Sequence, residues 1–443
     1  AAASGLRGQQ SSYGAVSADY DRDGYLDLYV TRLRGEPNQL YRNAGDGTFA
    51  DVSYTHSIQN FYQYSGSAGT WADFDNDGDL DLYAGFFGFF DLFYADLGGN
   101  TYATSTVGAE RGQTVGITVG DYDNDGDLDT YVVNRNMRSV LYANDVELGF
   151  FLDVGAESGT ENFSPGTEAA FGDYDGDGDL DLFVTNSSGP NRVYTNLGDG
   201  TFADHAAAFG MADLGRGRGV LLGDYDNDGD PDVYVVNEGS PNRLYRNGGS
   251  AYNWLKVKAR GVQSNVDAIG ARIEVYAGGR MQLREINGSS GFSQNSRTVY
   301  FGLGEETAVD SLVIRWPLGL VETFRDLEIN TSLLLVEGDL PTAVAEEAPW
   351  PQETALQQNF PNPFHAYTAI DFYTEEKGEV RLVLYNTMGQ KVRVLVDEMR
   401  LSGTHRVVWD GLDEEGRELA SGIYYYRLWA REKWLGKSMV LLR

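Results

Sequence analysis

Along the first 250 positions short apolar runs alternate with turn residues, and no stretch holds the i, i+3, i+4 spacing of an amphipathic helix. Leu28-Tyr-Val30, Tyr131-Val-Val133 and Val233-Tyr-Val-Val236 are aromatic and β-branched, which predicts strands. Each is preceded by an aspartate-rich loop, and each loop by an apolar run ending in Gly or Ala. A third strand follows at Asn38-Gln-Leu-Tyr-Arg-Asn43, Asn191-Arg-Val-Tyr-Thr-Asn196 and Asn242-Arg-Leu-Tyr-Arg-Asn247. Two repeats then continue Gly-Asp-Gly-Thr-Phe-Ala-Asp, at Gly45–Asp51 and Gly198–Asp204, a turn into a fourth strand. Four short strands at a fixed period predict the blades of a β-propeller and exclude a solenoid of helix pairs.

The repeated loops read Asp19-Tyr-Asp-Arg-Asp-Gly-Tyr-Leu-Asp27, Asp73-Phe-Asp-Asn-Asp-Gly-Asp-Leu-Asp81, Asp121-Tyr-Asp-Asn-Asp-Gly-Asp-Leu-Asp129, Asp173-Tyr-Asp-Gly-Asp-Gly-Asp-Leu-Asp181 and Asp224-Tyr-Asp-Asn-Asp-Gly-Asp-Pro-Asp232. Their first aspartates stand 54, 48, 52 and 51 residues apart. The fifth repeat runs from Asn247 into Trp254 without a fourth strand, and Ala1–Leu6 resembles the tail of one. An N-terminal strand completing the last blade, and a ring of more than five blades, are both compatible with this pattern.

Aspartates at positions 1, 3 and 5 place three short carboxylates on one side of a turn, and Gly at position 6 permits the positive φ that folds the chain back. Position 7 (Tyr25, Asp79, Asp127, Asp179, Asp230) offers its carbonyl and position 9 (Asp27, Asp81, Asp129, Asp181, Asp232) closes the cage. The remaining ligands are Asp19, Asp21, Asp23, Asp73, Asp75, Asp77, Asp121, Asp123, Asp125, Asp173, Asp175, Asp177, Asp224, Asp226 and Asp228. An all-oxygen set suits a cation taking 6–8 ligands at about 2.3–2.6 Å, so calcium is expected, one ion per repeat and five in all. Extracellular calcium modules bind at roughly 10⁻⁴–10⁻³ M, which points to a secreted or outer-surface location.

This spacing resembles the FG-GAP and VCBS repeats of integrin-type propellers. That resemblance implies that the carboxylates at positions 1, 3, 5 and 9 and the carbonyl at 7 hold the ion, the position-7 side chains pointing elsewhere. From Asn253 the pattern becomes one of alternating strands, and Ile269-Gly-Ala-Arg272 with Arg315-Trp-Pro317 resembles the ASPIC/UnbV domain. Arg272, Glu274, Ser289 and Ser290 are conceivable as a site there, although solvated strand faces account for them better. After a Pro-, Ala- and Glu-rich linker, strands such as Val380–Tyr385 and Gly422–Arg427 form another small sandwich. Its opening Gln358-Asn-Phe-Pro-Asn-Pro-Phe364 resembles both a bacterial type IX secretion sorting domain of type A and the immunoglobulin-like fold of FlgD. The expected domains are thus a propeller over 1–250, an ASPIC/UnbV-like β domain over 251–338, a linker over 339–356 and an immunoglobulin-like sandwich over 357–443. The fold class is all-β: a calcium-loop propeller of five four-stranded repeats, then two small β-sandwich-like domains.

With 34 basic against 66 acidic residues among 443, the formal net charge of −32 disfavours nucleic acid and anionic membranes and favours cations. No run approaches the ~20 apolar residues that span a bilayer, and the chain has no cysteine. Ala1–Gly5 shows no signal-peptide regions, as expected of a mature end. His56, His205, His365 and His405 stand apart, without a nucleophile elbow or a metalloprotease motif, so no enzyme is expected, a propeller-based carbohydrate-active enzyme being the last alternative. The expected roles are adhesion to other proteins or glycans, through aromatic runs such as Phe61–Tyr64 and Phe86–Phe90, or assembly into a homo-oligomer, fibre or surface layer. For the second run a place in the blade core is favoured over an exposed patch. Asn162, Asn186, Asn287 and Asn330 stand in Asn-x-Ser/Thr contexts.

Overall fold

The computed structural model describes residues 5–6, 11–58, 64–108, 112–146, 149–249, 251–288, 296–344, 354–359, 362, 364, 367–387, 389–414, 416–431 and 433–442. The chain divides into two compact units, Ala1–Glu346 and Glu347–Arg443. Among the described residues the one helix is the single turn Gly155–Ser158, and none is long and apolar enough to cross a membrane.

The first unit opens with five antiparallel sheets, each in sequence order. The first joins Ser12–Ala18, Asp27–Arg32, Gln39–Asn43 and Phe49–Asp51. The second joins Ser65–Ala72, Asp81–Phe87, Asp91–Asp96 and Tyr102–Val107. Thr114–Gly120, Asp129–Asn134, Val140–Asp145 and Phe150–Asp153 form the third. Gly166–Gly172, Asp181–Asn186, Arg192–Asn196 and Phe202–Asp204 form the fourth. The fifth has Gly217–Gly223, Asp232–Asn237 and Arg243–Tyr245. Each aspartate loop is the hairpin between the first two strands, its position 9 pairing with the residue before position 1: Ala18 with Asp27, Ala72 with Asp81, Gly120 with Asp129, Gly172 with Asp181 and Gly223 with Asp232.

Strands covered on both faces are apolar throughout rather than alternating. Accordingly Asp129–Asn134 and Asp181–Asn186 are buried at every position. Tyr29, Tyr83 and Tyr131 are fully buried at equivalent places, whereas Tyr234 in the fifth sheet is 37% exposed, and Val236 beside it likewise. The outer face of the fifth sheet is uncovered by any described residue. Of the segment Ala1–Leu6 expected to complete it, residues 1–4 lie outside the described residues; Gly5 packs against the Phe49 carbonyl of the first sheet, so closely that a β-carbon would collide.

The second aromatic run is part of the fold. Phe86 is fully buried, Phe87 meets Tyr13 edge-on at 5.1 Å between ring centroids, and Phe89 stacks on Tyr64 at 3.9 Å. Residues 61–63 of the first run lie outside the described residues.

Two four-stranded sheets complete the first unit, and we refer to them as the cap. One orders Thr298–Gly304, Asn253–Arg260, Thr331–Val336 and Thr342–Val344, and the other Arg280–Glu285, Arg272–Ala277, Ser311–Arg315 and Val321–Phe324. Leu255, Val257, Ile273, Val275, Phe301, Leu312, Ile314 and Leu335 fill the space between them. In the second unit a three-stranded and a four-stranded sheet enclose Trp409, Tyr426, Phe372, Leu382 and Met439. Alternate burial along Gly422–Ala430 reflects a strand with one face on that core.

Asparagines at the ends of the third strands tie the blades together. Asn144 Nδ2 donates to the Phe74 carbonyl at 2.6 Å, Asn196 Nδ2 to that of Tyr122 at 2.8 Å and Asn247 Nδ2 to that of Tyr174 at 2.6 Å, each carbonyl belonging to the preceding blade's loop. Removing such a donor leaves a buried carbonyl unsatisfied, a loss of about 1–3 kcal/mol. Asn196→Ala is therefore expected to destabilise the first unit by about that amount in denaturant unfolding, and a change within error would show the contact to be dispensable.

Candidate metal centres

Every loop has the same backbone. Position 4 is left-handed, with φ of 55° at Arg22, 61° at Asn76, 58° at Asn124, 82° at Gly176 and 60° at Asn227. The glycine at position 6 has φ between 90° at Gly24 and 103° at Gly229, a left-handed region that only glycine enters freely. The position-1 carboxylate fixes this turn from inside: Asp19 accepts from the N–H groups of Asp23 and Gly24 at 3.0 and 3.1 Å, and Asp121 from those of Asp125 and Gly126 at 3.1 and 3.2 Å. Position 9 joins the loop to the third strand, as Asp181 does by accepting from Tyr174 N at 2.8 Å and Asn196 N at 2.9 Å.

The fold brings together Asp19, Asp21 and Asp27; Asp73, Asp75 and Asp77; Asp121, Asp123 and Asp129; Asp173, Asp175 and Asp181; and Asp224, Asp226 and Asp232. Within each group one oxygen per residue lies within 4.8 Å of the others, so each could hold a metal ion. Asp23, Asp125, Asp177 and Asp228 at position 5, and Asp81 of the second loop, fall outside these tightest groups. Burial, reinforced by neighbouring carboxylates, pushes Asp27 and Asp81 up to about 8, and burial likewise raises Asp121 and Asp173 to about 7. Asp129 and Asp181 rise well above the ordinary range for the same reasons. Asp21 Oδ1, Asp27 Oδ2, Asp73 Oδ1 and Asp226 Oδ1 are buried with no hydrogen-bond donor, the condition in which a carboxylate oxygen needs a cation.

The position-7 side chains lie outside the groups and serve another purpose. Asn76 Nδ2, at position 4 of the second loop, donates to Asp127 of the third at 2.7 Å, and Asn124 Nδ2 of the third to Asp179 of the fourth at 2.6 Å. Arg22 of the first loop pairs with Asp79 of the second. Position 4 thus reaches position 7 of the next loop, a link invisible within any single repeat.

The cap contributes basic groups to the loops. Arg272 is buried, not solvated as its strand position suggested: Nη1 pairs with Asp73 Oδ2 at 2.9 Å, and Nη2 donates to the Gly126 carbonyl at 3.2 Å. Lys256 Nζ, also buried, meets Asp224 Oδ2 at 2.7 Å. Gly302 N donates to Asp173 Oδ2 at 2.8 Å, and Arg280 pairs with Asp179. Arg284 is buried; burial pulls its guanidinium down while Asp173, Asp121 and Asp179 hold it up. The ordinary sequence signature of a surface strand conceals these residues, because their partners lie far along the chain.

Other candidates find structural places. Glu274 accepts from Arg315 Nε at 2.9 Å and from the Tyr276 hydroxyl at 2.8 Å, while Ser289 and Ser290 lie outside the described residues. His56 bonds the Tyr20 hydroxyl at 3.2 Å, His205 the Thr195 hydroxyl at 3.1 Å and His405 the Thr374 hydroxyl at 2.9 Å; His365 lies outside the described residues. Asn162 and Asn186 are buried and bonded to each other at 2.8 Å, which withholds both from glycosylation in the folded chain.

Comparison with known proteins agrees with this layout. A model of the FG-GAP-like repeat matches residues 11–84, 121–184 and 173–235, one of ASPIC and UnbV residues 261–342, and one of the FlgD Ig-like domain residues 365–433. Cartilage acidic protein 1 of Mus musculus is 27% identical over 273 residues, 53% of this chain and 42% of that protein. The Homo sapiens protein of the same name is 39% identical over 106 residues, 23% of this chain and 16% of that protein. The chain thus spans less than half the length of these curated relatives. Among solved structures, PorZ, a surface component of the type IX secretion system of Porphyromonas gingivalis, aligns at a TM-score of 0.23 and 11% identity over 98% of this chain and 82% of its own. Aspartate loops, cap and C-terminal sandwich together make this an all-β chain of FG-GAP-like repeats followed by an ASPIC and UnbV segment and a FlgD Ig-like domain.

Proposed function

We propose that this chain is a secreted or cell-surface calcium-binding scaffold, without enzymatic activity, that contacts proteins or glycans through surfaces stiffened by one Ca²⁺ in each of its five loops. The observation that carries the reading is the fivefold recurrence of three clustered aspartates, with buried, undonated carboxylate oxygens in the first, second and fifth loops. The carboxylates at positions 1, 3, 5 and 9 and the carbonyl at 7 would hold each ion. An all-oxygen donor set on a flexible turn favours Ca²⁺ over Mg²⁺, which demands a rigid octahedron and retains water. An ion that binds only the folded state stabilises it by mass action, which is the contribution expected here. Resemblance to a cartilage acidic protein supports an extracellular setting. Among the described residues neither the histidines nor the loop aspartates supply an acid–base pair free for catalysis.

A second reading, self-association, is favoured by the uncovered outer face of the fifth sheet, where Tyr234, Val236 and Leu244 are exposed. In the other blades the equivalent residues, Tyr29, Tyr83, Tyr131 and Phe183, are buried.

Asp123→Ala with Asp125→Ala is expected to lower the melting temperature in calcium and to leave little difference in EGTA, with about one ion fewer per chain by elemental analysis. Equal losses in both conditions would argue against an ion at that loop. Tyr234→Glu with Val236→Glu is expected to abolish concentration-dependent association in analytical ultracentrifugation; association that persists unchanged would remove the fifth sheet from the contact.

A further inference from the structure

The five loops are not equivalent in their counter-charge. The third strands end in Tyr41-Arg42, Tyr94-Ala95, Tyr142-Ala143, Tyr194-Thr195 and Tyr245-Arg246. Only the first and fifth repeats therefore carry arginine at this place. Arg42 Nε pairs with Asp21 Oδ2, and its Nη2 with Asp23 Oδ2 at 2.9 Å. Arg246 repeats the arrangement with Asp226 Oδ2 and, at 3.1 Å, Asp228 Oδ2. In both loops the guanidinium thus spans the carboxylates at positions 3 and 5. The third and fourth loops have no ion pair to positions 1, 3, 5 or 9 among the described residues; Arg284 lies near both and bonds neither set.

These arginines also differ from the basic groups of the cap. Lys256 and Arg272 have side chains 4% and 8% exposed, fixed between cap and blades. The side chains of Arg42 and Arg246 are 48% and 59% exposed, so their stems can swing into solvent without opening the core. In the same two loops Asp21 Oδ1 and Asp226 Oδ1 remain buried and without a donor. Each guanidinium therefore meets one oxygen of the position-3 carboxylate and leaves the other unmet, while the second oxygen at position 5 accepts from the N–H of Tyr25 or Asp230.

We propose that Arg42 and Arg246 are built-in, displaceable counter-ions that compete with the divalent cation at the first and fifth loops. The inference rests on the reading of the loops as calcium sites. A cation a few ångströms from the ion's ligands opposes its entry, so these loops take up Ca²⁺ at higher concentration than they would without the arginine. When the ion is scarce the guanidinium stands in for it and limits repulsion between the aspartates. The third and fourth loops lack this substitute and depend on the ion itself. The first and fifth blades consequently tolerate calcium depletion better than the third and fourth.

The test is a calcium titration of the full chain against a competing chelator, comparing wild type with Arg42→Gln, Arg246→Gln and the double variant. Each single substitution is expected to tighten one site by about threefold to tenfold, and the double variant two sites, with the gain shrinking at high salt. Glutamine retains part of the stem, and thermal melting supplies an independent readout: the double variant should melt lower than wild type in EGTA and no lower in saturating calcium. An unchanged or weakened isotherm, or an equal loss of melting temperature in both conditions, overturns the proposal. Absence of calcium binding by wild type would instead remove the calcium reading of the loops, and so separates the two.

Discussion

The structure is organised by the need to keep like charges close together inside a folded chain. Two carboxylates at 4.8 Å, the limit within each loop group, repel by about 3–4 kcal/mol at an effective dielectric constant near 20. Hydrogen bonding alone answers only part of this. Position 1 accepts from the turn and position 9 from the third strand, yet burial still drives Asp27 and Asp81 up to about 8. Near neutrality such groups stay charged only beside positive charge, and every feature around the loops supplies or positions it.

The cap acquires its meaning from that requirement. Its sheets present Lys256, Arg272, Arg280 and Arg284 toward four of the five loops, and Gly302 brings a backbone N–H to Asp173. Buried ion pairs offset their desolvation only with good geometry and full hydrogen bonding, so they add less to stability than to uniqueness of fit. Arg272 meets this condition in part: it bonds Asp73 and the Gly126 carbonyl at once and so bridges two neighbouring loops, while its buried Nε has no acceptor. A cap displaced by one strand register would bury those charges unpaired.

The sequence revealed what lies within short windows. The nine-residue loop, the glycine at position 6, the hairpin on either side and the apolar second strands are local, and the fold places them where their pattern indicates. The cap's role was hidden because Arg272 and Asp73 are 199 positions apart, and an arginine on an alternating strand looks solvated. The link from position 4 to position 7 escaped notice for a similar reason, since Asn76 and Asp127 belong to different repeats. Arg42 and Arg246 were readable in principle: aligning the five third strands sets them against Ala95, Ala143 and Thr195. The fifth sheet could not be completed from sequence, because a resemblance of Ala1–Leu6 to a strand does not say which sheet it joins.

The side chains running from one loop to the next have a mechanical result. Arg22, Asn76 and Asn124 each grip the following loop, so the first four turns are strung like links of a bracelet. At the fourth turn the gripping position is Gly176, which has no side chain to send onward. A distortion that begins in any of the first three turns can be handed along through these grips as far as Gly176, and beyond it the joint to the fifth repeat relies on the Asn247 tie to the Tyr174 carbonyl, so the bracelet is fastened most simply between the fourth turn and the fifth.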